Sequence, residues 1–291
     1  MMRAAARALL PVCVLLPLAG QDFSGVKLEL TAKDYVFTQG PVWSTAGNYL
    51  IFSDIPTDRL LKWVPGHPVE VFRADAHGPS GNAFDSHERL YTCETRARRV
   101  TRTAKNGQIE TIAAEWEGKK LNAPSGIVIG KSDHVYFTDP AFGSQQDHRE
   151  LDFYGVYHVP PKGPMKLAAK WTKRPNGIAL SPNGRTLYVA AADEHSVRAY
   201  DLDKEGDASN ERVFVSKIEG VPSGLHVDEK GNLYVAANKI LVFHPDGSRA
   251  GAIEVHERAS NCTFGFPDAT MLFITAQGNL FRTKVDVKGL Y

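Results

Sequence analysis

The sequence predicts an all-β fold, a six-bladed β-propeller, and three observations carry the prediction. Six segments repeat one pattern: a small polar residue, a glycine in most copies, alternating apolar residues, a turn and a second apolar strand. Their aligned second positions are Gly40, Gly81, Gly126, Gly177, Gly224 and Cys262, spaced 38 to 51 residues apart. That interval is the length of a propeller blade. Turn residues such as Ala46-Gly47-Asn48, Pro182-Asn183-Gly184 and Glu229-Lys230-Gly231-Asn232 separate the paired strands, as hairpins require. Finally, no stretch has the length and 3.6-residue period of a substantial helix. The segment Arg96 to Lys105 comes nearest and reads equally well as β.

The blades follow in chain order. The first pairs Gln39-Gly40-Pro41-Val42-Trp43 with Tyr49 to Asp54, and the second pairs Ser80-Gly81-Asn82-Ala83-Phe84 with Leu90 to Glu94. In the third, Ser125-Gly126-Ile127-Val128-Ile129 meets Val135 to Asp139; in the fourth, Asn176-Gly177-Ile178-Ala179-Leu180 meets Leu187 to Ala191. The fifth joins Ser223-Gly224-Leu225-His226-Val227 to Leu233 to Ala237, and the sixth joins Asn261-Cys262-Thr263-Phe264 to Leu272 to Ala276. Outer strands follow in most copies, for example Arg59 to Val64, Ser196 to Tyr200 and Ile240 to Phe243. Six registered copies exclude a β-sandwich of accidental spacing, and the propeller is expected to fill residues 21–291.

Residues 1–20 stand apart. Arg3 and Arg7, with no acid, precede the apolar run Ala8 to Ala19, which is the pattern of a secretory signal peptide. The run is too short for a membrane span, which needs roughly 20 apolar residues, and Pro11 and Pro17 interrupt it. Cleavage after Ala19 or Gly20 leaves Gln21 as the new terminus of a secreted or periplasmic protein, although Leu18 is large for the −3 position. The cut takes two of 34 basic residues and no acid, leaving 32 against 33 and a net charge of −1. Such a balance excludes a nucleic-acid groove or a polybasic membrane patch, both of which need a concentrated positive field. A small molecule is the expected partner. Cys93 and Cys262 remain, each in an apolar stretch, and are expected to be separate buried thiols rather than a disulfide.

The register also predicts a site. Innermost strands line a propeller's channel, so the residue before each aligned position belongs to a ring: Gln39, Ser80, Ser125, Asn176, Ser223 and Asn261. Six small or amide polar side chains suit a lined cavity better than a packed core. The second strands return to the same face and end in Asp54, Glu94 and Asp139 in the first three blades, against Ala191, Ala237 and Ala276 in the others. Those three carboxylates are the catalytic candidates, and capping of nearby backbone N–H groups is the equally weighted structural reading of each. The Pro-Ser-Gly triplets at Ser80, Ser125 and Ser223 repeat in register and are not nucleophile elbows. Among the histidines, His148 and His195 fall in loops. His226 alternates along a strand and suits a core, while His77 and His226 are the candidates for a general base.

Longer motifs carry a family resemblance. They are Gly40-Pro41-Val42-Trp43, Phe52-Ser53-Asp54-Ile55, Glu117 to Pro124, Tyr136-Phe137-Thr138-Asp139-Pro140, Glu150 to Tyr157, Arg174-Pro175-Asn176-Gly177-Ile178 and Ser260-Asn261-Cys262. Over residues 35–283 the chain resembles the SMP-30/gluconolactonase/luciferin-regenerating-enzyme-like propellers. The resemblance implies a hydrolase of sugar lactones or related esters, with one divalent cation, calcium or zinc, at the channel centre as a Lewis acid. It further implies metal-ligand positions at Gln39, Ser125, Asn176 and Ser223, and substrate contacts at Ser80 and Asn261. Here the chain departs from the pattern: Gln39 stands where the family has Glu, Ser125 where it has Asn, Ser223 where it has Asp, and Ser80 where it has Asn. Asn176 is retained. Four neutral oxygens cannot neutralise a divalent ion, and affinity falls with ligand charge. Weak cation binding is therefore expected, unless Asp54, Glu94 or Asp139 compensates. A non-catalytic propeller that binds a polyol or sugar is the alternative from another class, since propellers host many functions.

Overall fold

The computed structural model describes residue 23 and residues 25–130 and 132–290; residues 1–20, expected to be a signal peptide, lie outside them. Six four-stranded antiparallel sheets make up the blades. The first holds Thr38–Ser44, Tyr49–Asp54, Arg59–Trp63 and Glu70–Arg73, and each of the next four likewise follows sequence order. The sixth differs. Its strands Ala259–Gly265, Met271–Ala276 and Asn279–Lys284 are completed by Glu29–Ala32 from the other end of the chain. Joining both ends of the described chain in one sheet closes the circle of blades. The Arg282–Glu29 ion pair and the bond from Thr283 Oγ1 to the Lys27 carbonyl fasten the closing strand. The stretch from Arg96 to Lys105 contains the strand Arg99–Thr103.

Blades join through alternating aromatic and aliphatic faces. Tyr91 and Cys93 of blade two pack with Phe137 and Tyr157 of blade three, and Tyr234 of blade five packs with Phe264 and Ile274 of blade six. Cys93 and Cys262 are buried and free, with both thiols pushed up by burial, Cys262 to about 12.

The repeated glycine has a packing cause. A Cβ at Gly81 would stand 2.4 Å from the Ser125 carbonyl oxygen, and one at Gly177 2.1 Å from that of Ser223. The innermost strand of each blade lies against the backbone of the next, and Gly81 and Gly177 donate their N–H to those same oxygens at 2.8 and 2.9 Å. Any side chain there would pry neighbouring blades apart.

Candidate functional site

All six ring positions stand at or just before the start of their innermost strands. Adjacent members touch around much of the circle. Ser80 Oγ lies 3.4 Å from Ser125 Oγ, Ser125 Oγ donates to Asn176 Oδ1 at 3.5 Å, and Asn176 Nδ2 donates to Ser223 Oγ at 3.4 Å. The other two ring side chains fold onto their own backbone. The Gly40 N–H donates to Gln39 Oε1 at 2.7 Å, and the Cys262 N–H to Asn261 Oδ1 at 2.8 Å. This leaves the NH2 groups of Gln39 and Asn261 without a hydrogen bond among the described residues. Gln39, Ser80, Ser125, Asn176 and Ser223 are all buried. The ring is thus a neutral set of hydroxyls and amides at one end of the channel.

The three carboxylates surround this end in the register expected. Asp54 pairs across the ladder with Thr38, and Glu94 with Pro79. Every one of their oxygens is nevertheless committed elsewhere. Asp54 Oδ1 accepts the Val36 and Phe37 N–H groups, while Oδ2 accepts from the Thr57 hydroxyl and Arg59. Glu94 takes Arg73 and the Thr101 hydroxyl on Oε1 and Arg99 on Oε2. Asp139 accepts the Asn122 and Ala123 N–H groups at 2.7 and 2.8 Å, fixing the segment that leads into Ser125. Burial pushes the Asp139 carboxyl up to about 7, against the pull of those two N–H groups. None of the three hydrogen-bonds a ring side chain.

The remaining candidates separate by face. His77 is exposed in the loop entering blade two, where its carbonyl accepts the Arg96 N–H. His148 lies in the short 3-10 turn Gly143–His148, and His195 Nδ1 bonds the Gly220 carbonyl. His226 belongs to the far side of the ring, where Nε2 bonds the Leu290 carbonyl and burial pushes the imidazole down to about 4.

That far side holds a chamber of about 600 Å³. Its walls come from the innermost strands beyond the ring, such as Val42, Ile127, Ile178 and Leu225, and from the hairpin turns at the opposite end of the blades. Sequence reasoning missed it, because its polar groups come from different blades and different turns. On the same face Asp85, His87 and Asp133 bring potential ligand atoms within 4.8 Å of one another. A cation already serves them: Arg89 Nε lies 2.5 Å from Asp85 Oδ2, and its Nη2 3.9 Å from Asp133.

Comparison with known proteins agrees with the geometry. The SMP-30/Gluconolactonase/LRE-like region matches residues 37–278. A gluconolactonase of Zymomonas mobilis is 31% identical, over 90% of this chain and 82% of its own. The structure of a gluconolactonase from Xanthomonas campestris superposes with a TM-score of 0.85 at 31% identity, covering 92% of this chain and 91% of that one. Bovine regucalcin is 23% identical over 92% of this chain and 91% of its own.

Proposed function

The chain belongs to the SMP-30/Gluconolactonase/LRE-like family, and from that premise we propose that it hydrolyses sugar lactones or related esters at the ring-lined end of its channel. The observation that carries this reading is the contiguous chain of hydrogen bonds from Ser80 through Ser125 and Asn176 to Ser223, set in a chain 31% identical to a gluconolactonase. Serine hydroxyls and amide N–H groups can hold the hydroxyls of a sugar lactone. Fixed donors of this kind also stabilise negative charge as water adds to the carbonyl carbon and the ring C–O bond breaks. The NH2 groups of Gln39 and Asn261 are the donors left over for that oxygen. Asp54 and Asp139 act as positioning residues, since each fixes a loop entering the ring.

The divalent cation implied by the family does not fit this ring. None of its six side chains carries charge, the side-chain oxygens of Gln39 and Asn261 accept the N–H groups of the next residues, Gly40 and Cys262, and the nearby carboxylates are fully engaged. Hard cations need several oxygen ligands with charge among them. No step is therefore assigned to a metal. The same neutrality favours a second reading, a propeller that binds a polyol or sugar without turning it over. Export to the periplasm or the exterior is part of the proposal, and rests on residues 1–20.

The deciding test is hydrolysis of glucono-δ-lactone by the mature protein, against the spontaneous rate and with or without EDTA, beside calorimetric titration of calcium and zinc. Turnover above background that EDTA changes less than twofold, and that Asn176→Ala abolishes while the fold stays intact, is expected. Binding of glucitol without turnover would establish the second reading. Micromolar calcium binding with EDTA-sensitive turnover would overturn the neutral ring. Changing Gln39→Glu together with Ser223→Asp should create calcium affinity that the natural chain lacks.

A further inference from the structure

The chamber beyond the ring contains an oriented histidine pair that the proposed hydrolysis does not use. His134 Nδ1 lies 2.7 Å from His158 Nε2 with the two ring planes inclined by 24°, and Tyr136 stacks on His158. The pair is roofed by the turn between the third and fourth strands of blade four. A Cβ at Gly206 would stand 2.5 Å from Tyr136 Oη and 2.6 Å from His134 Nδ1, so only glycine lets that turn close. Tyr136 donates its hydroxyl to the Gly206 carbonyl.

The protons in this cluster have a forced direction. His158 is 1% exposed, and its Nδ1 makes no hydrogen bond, with Asp207 Oδ1 3.5 Å away. Lys166 contacts both oxygens of Asp207 and holds its carboxyl below the ordinary range, so Asp207 is ionised and can only accept. A bare lone pair at His158 Nδ1 would therefore face a carboxylate, which is costly in a buried site. A proton on Nδ1 is the arrangement this carboxylate favours. Burial and the neighbouring imidazole push His158 down to about 4, so the ring is neutral and its Nε2 is a bare acceptor. His134 then donates from Nδ1, and in that tautomer its Nε2 carries the lone pair. His134 lines the chamber, and three other polar side chains there are committed: Asn82 to Gly40, Ser53 and Thr92, His226 to Leu290, and Asp85 to Arg89.

We propose that this chamber, on the far side of the ring, is a second ligand site for a small uncharged molecule with an apolar body and one hydroxyl donor, which it bonds to His134 Nε2. Its volume of about 600 Å³ lies within the ordinary range of ligand pockets, and its aliphatic walls suit a ring or short branched body. A lone pair fixed by the Asp207–His158 chain selects a ligand with a hydroxyl to donate.

The test uses the full mature chain with p-cresol, and toluene as the same shape without the hydroxyl. Calorimetry should show p-cresol binding about tenfold more tightly than toluene, and His134→Phe should bring the two to parity while lactone hydrolysis is unchanged. Equal binding of the two probes by the natural protein, or no binding of either, overturns the proposal. The proton direction is checked without any variant: two-bond 1H–15N spectra of histidine-labelled protein should show His134 protonated at Nδ1 and pyridine-like at Nε2. A proton on Nε2 would sink the argument even if the ring proves to be a lactonase.

Discussion

Blades one to three and blades four to six diverge at one position of the repeat, and the difference shows what the carboxylates are for. The second strand ends in Asp54, Glu94 and Asp139 in the first half, but in Ala191, Ala237 and Ala276 in the second. In the first half Asp54 and Asp139 hold the backbone N–H groups of the segment entering their own blade: Val36 and Phe37, and Asn122 and Ala123. In blade four that task moves two residues onward, to Asp193, which accepts the Arg174 N–H at 2.9 Å and pairs with its guanidinium. In blade six the Gln277 carbonyl, one residue past Ala276, accepts both the N–H and the hydroxyl of Thr38, which opens blade one. The carboxylates therefore follow the loops that need anchoring. They frame the ring without entering it.

Glu94 is the sharpest place to break this comparison, because it is the one member that serves charges instead of backbone. It is 1% exposed between Arg73 and Arg99, and Arg73 has little other company: its Nε and Nη1 are buried without a partner. Glu94→Ala should destabilise the protein by about 3–5 kcal/mol, the cost of leaving a buried charge uncompensated. Urea unfolding would measure it. A loss below 1 kcal/mol would mean that Arg73 finds water or a new partner, and that the site is softer than its packing suggests.

Asp139→Asn comes next and separates an anchor from an acid. The amide keeps the shape but turns an NH2 toward one of the two N–H donors, a loss of about 1–3 kcal/mol. It also removes a titration. The Asp139 carboxyl is raised in the folded state to about 7, so folded protein binds more protons than unfolded between about pH 4 and 7. Its stabilising contribution is complete below the unfolded value and fades as pH rises through the folded one. The stability gap between the natural chain and the variant should therefore narrow as pH increases from 4 to 8. A gap that stays constant or widens would show that Asp139 titrates no differently once folded.

Much of this was legible in the residues. Period, glycine register and hairpin turns predicted six blades, and the residue before each glycine named the ring whose members meet in space. The same register correctly brought Asp54, Glu94 and Asp139 to the ring's end of the blades. Their partners were not legible: the Arg73–Glu94 pair joins two blades, and Asn122 reaches Asp139 across 17 residues of loop and hairpin. The strand Glu29–Ala32 carries no repeat signature, so its place in blade six had no local signal. The His134–His158 pair was likewise hidden, since it depends on Gly206 from the next blade closing over both rings.

The smallest expected effect tests the comparison from its other side. If Asp193 is blade four's displaced counterpart of Asp54 and Asp139, Asp193→Ala should loosen the Arg174–Pro175 entry to the strand that carries Asn176. Its side chain is 25% exposed and its partner Arg174 29%, so screening limits the pair to about 1 kcal/mol or less. The N–H of Arg174 can turn to water once the carboxylate is gone, unlike those of Asn122 and Ala123. The effect should accordingly appear as faster amide exchange at Arg174 and in the turn Ala192–Glu194, with little change in the unfolding midpoint. Because Asn176 sits two residues beyond Arg174, KM for a lactone should rise more than kcat falls. An unfolding loss as large as that of Asp139→Asn would contradict the graded scheme, and would place blade four's anchor among the buried ones despite its exposure.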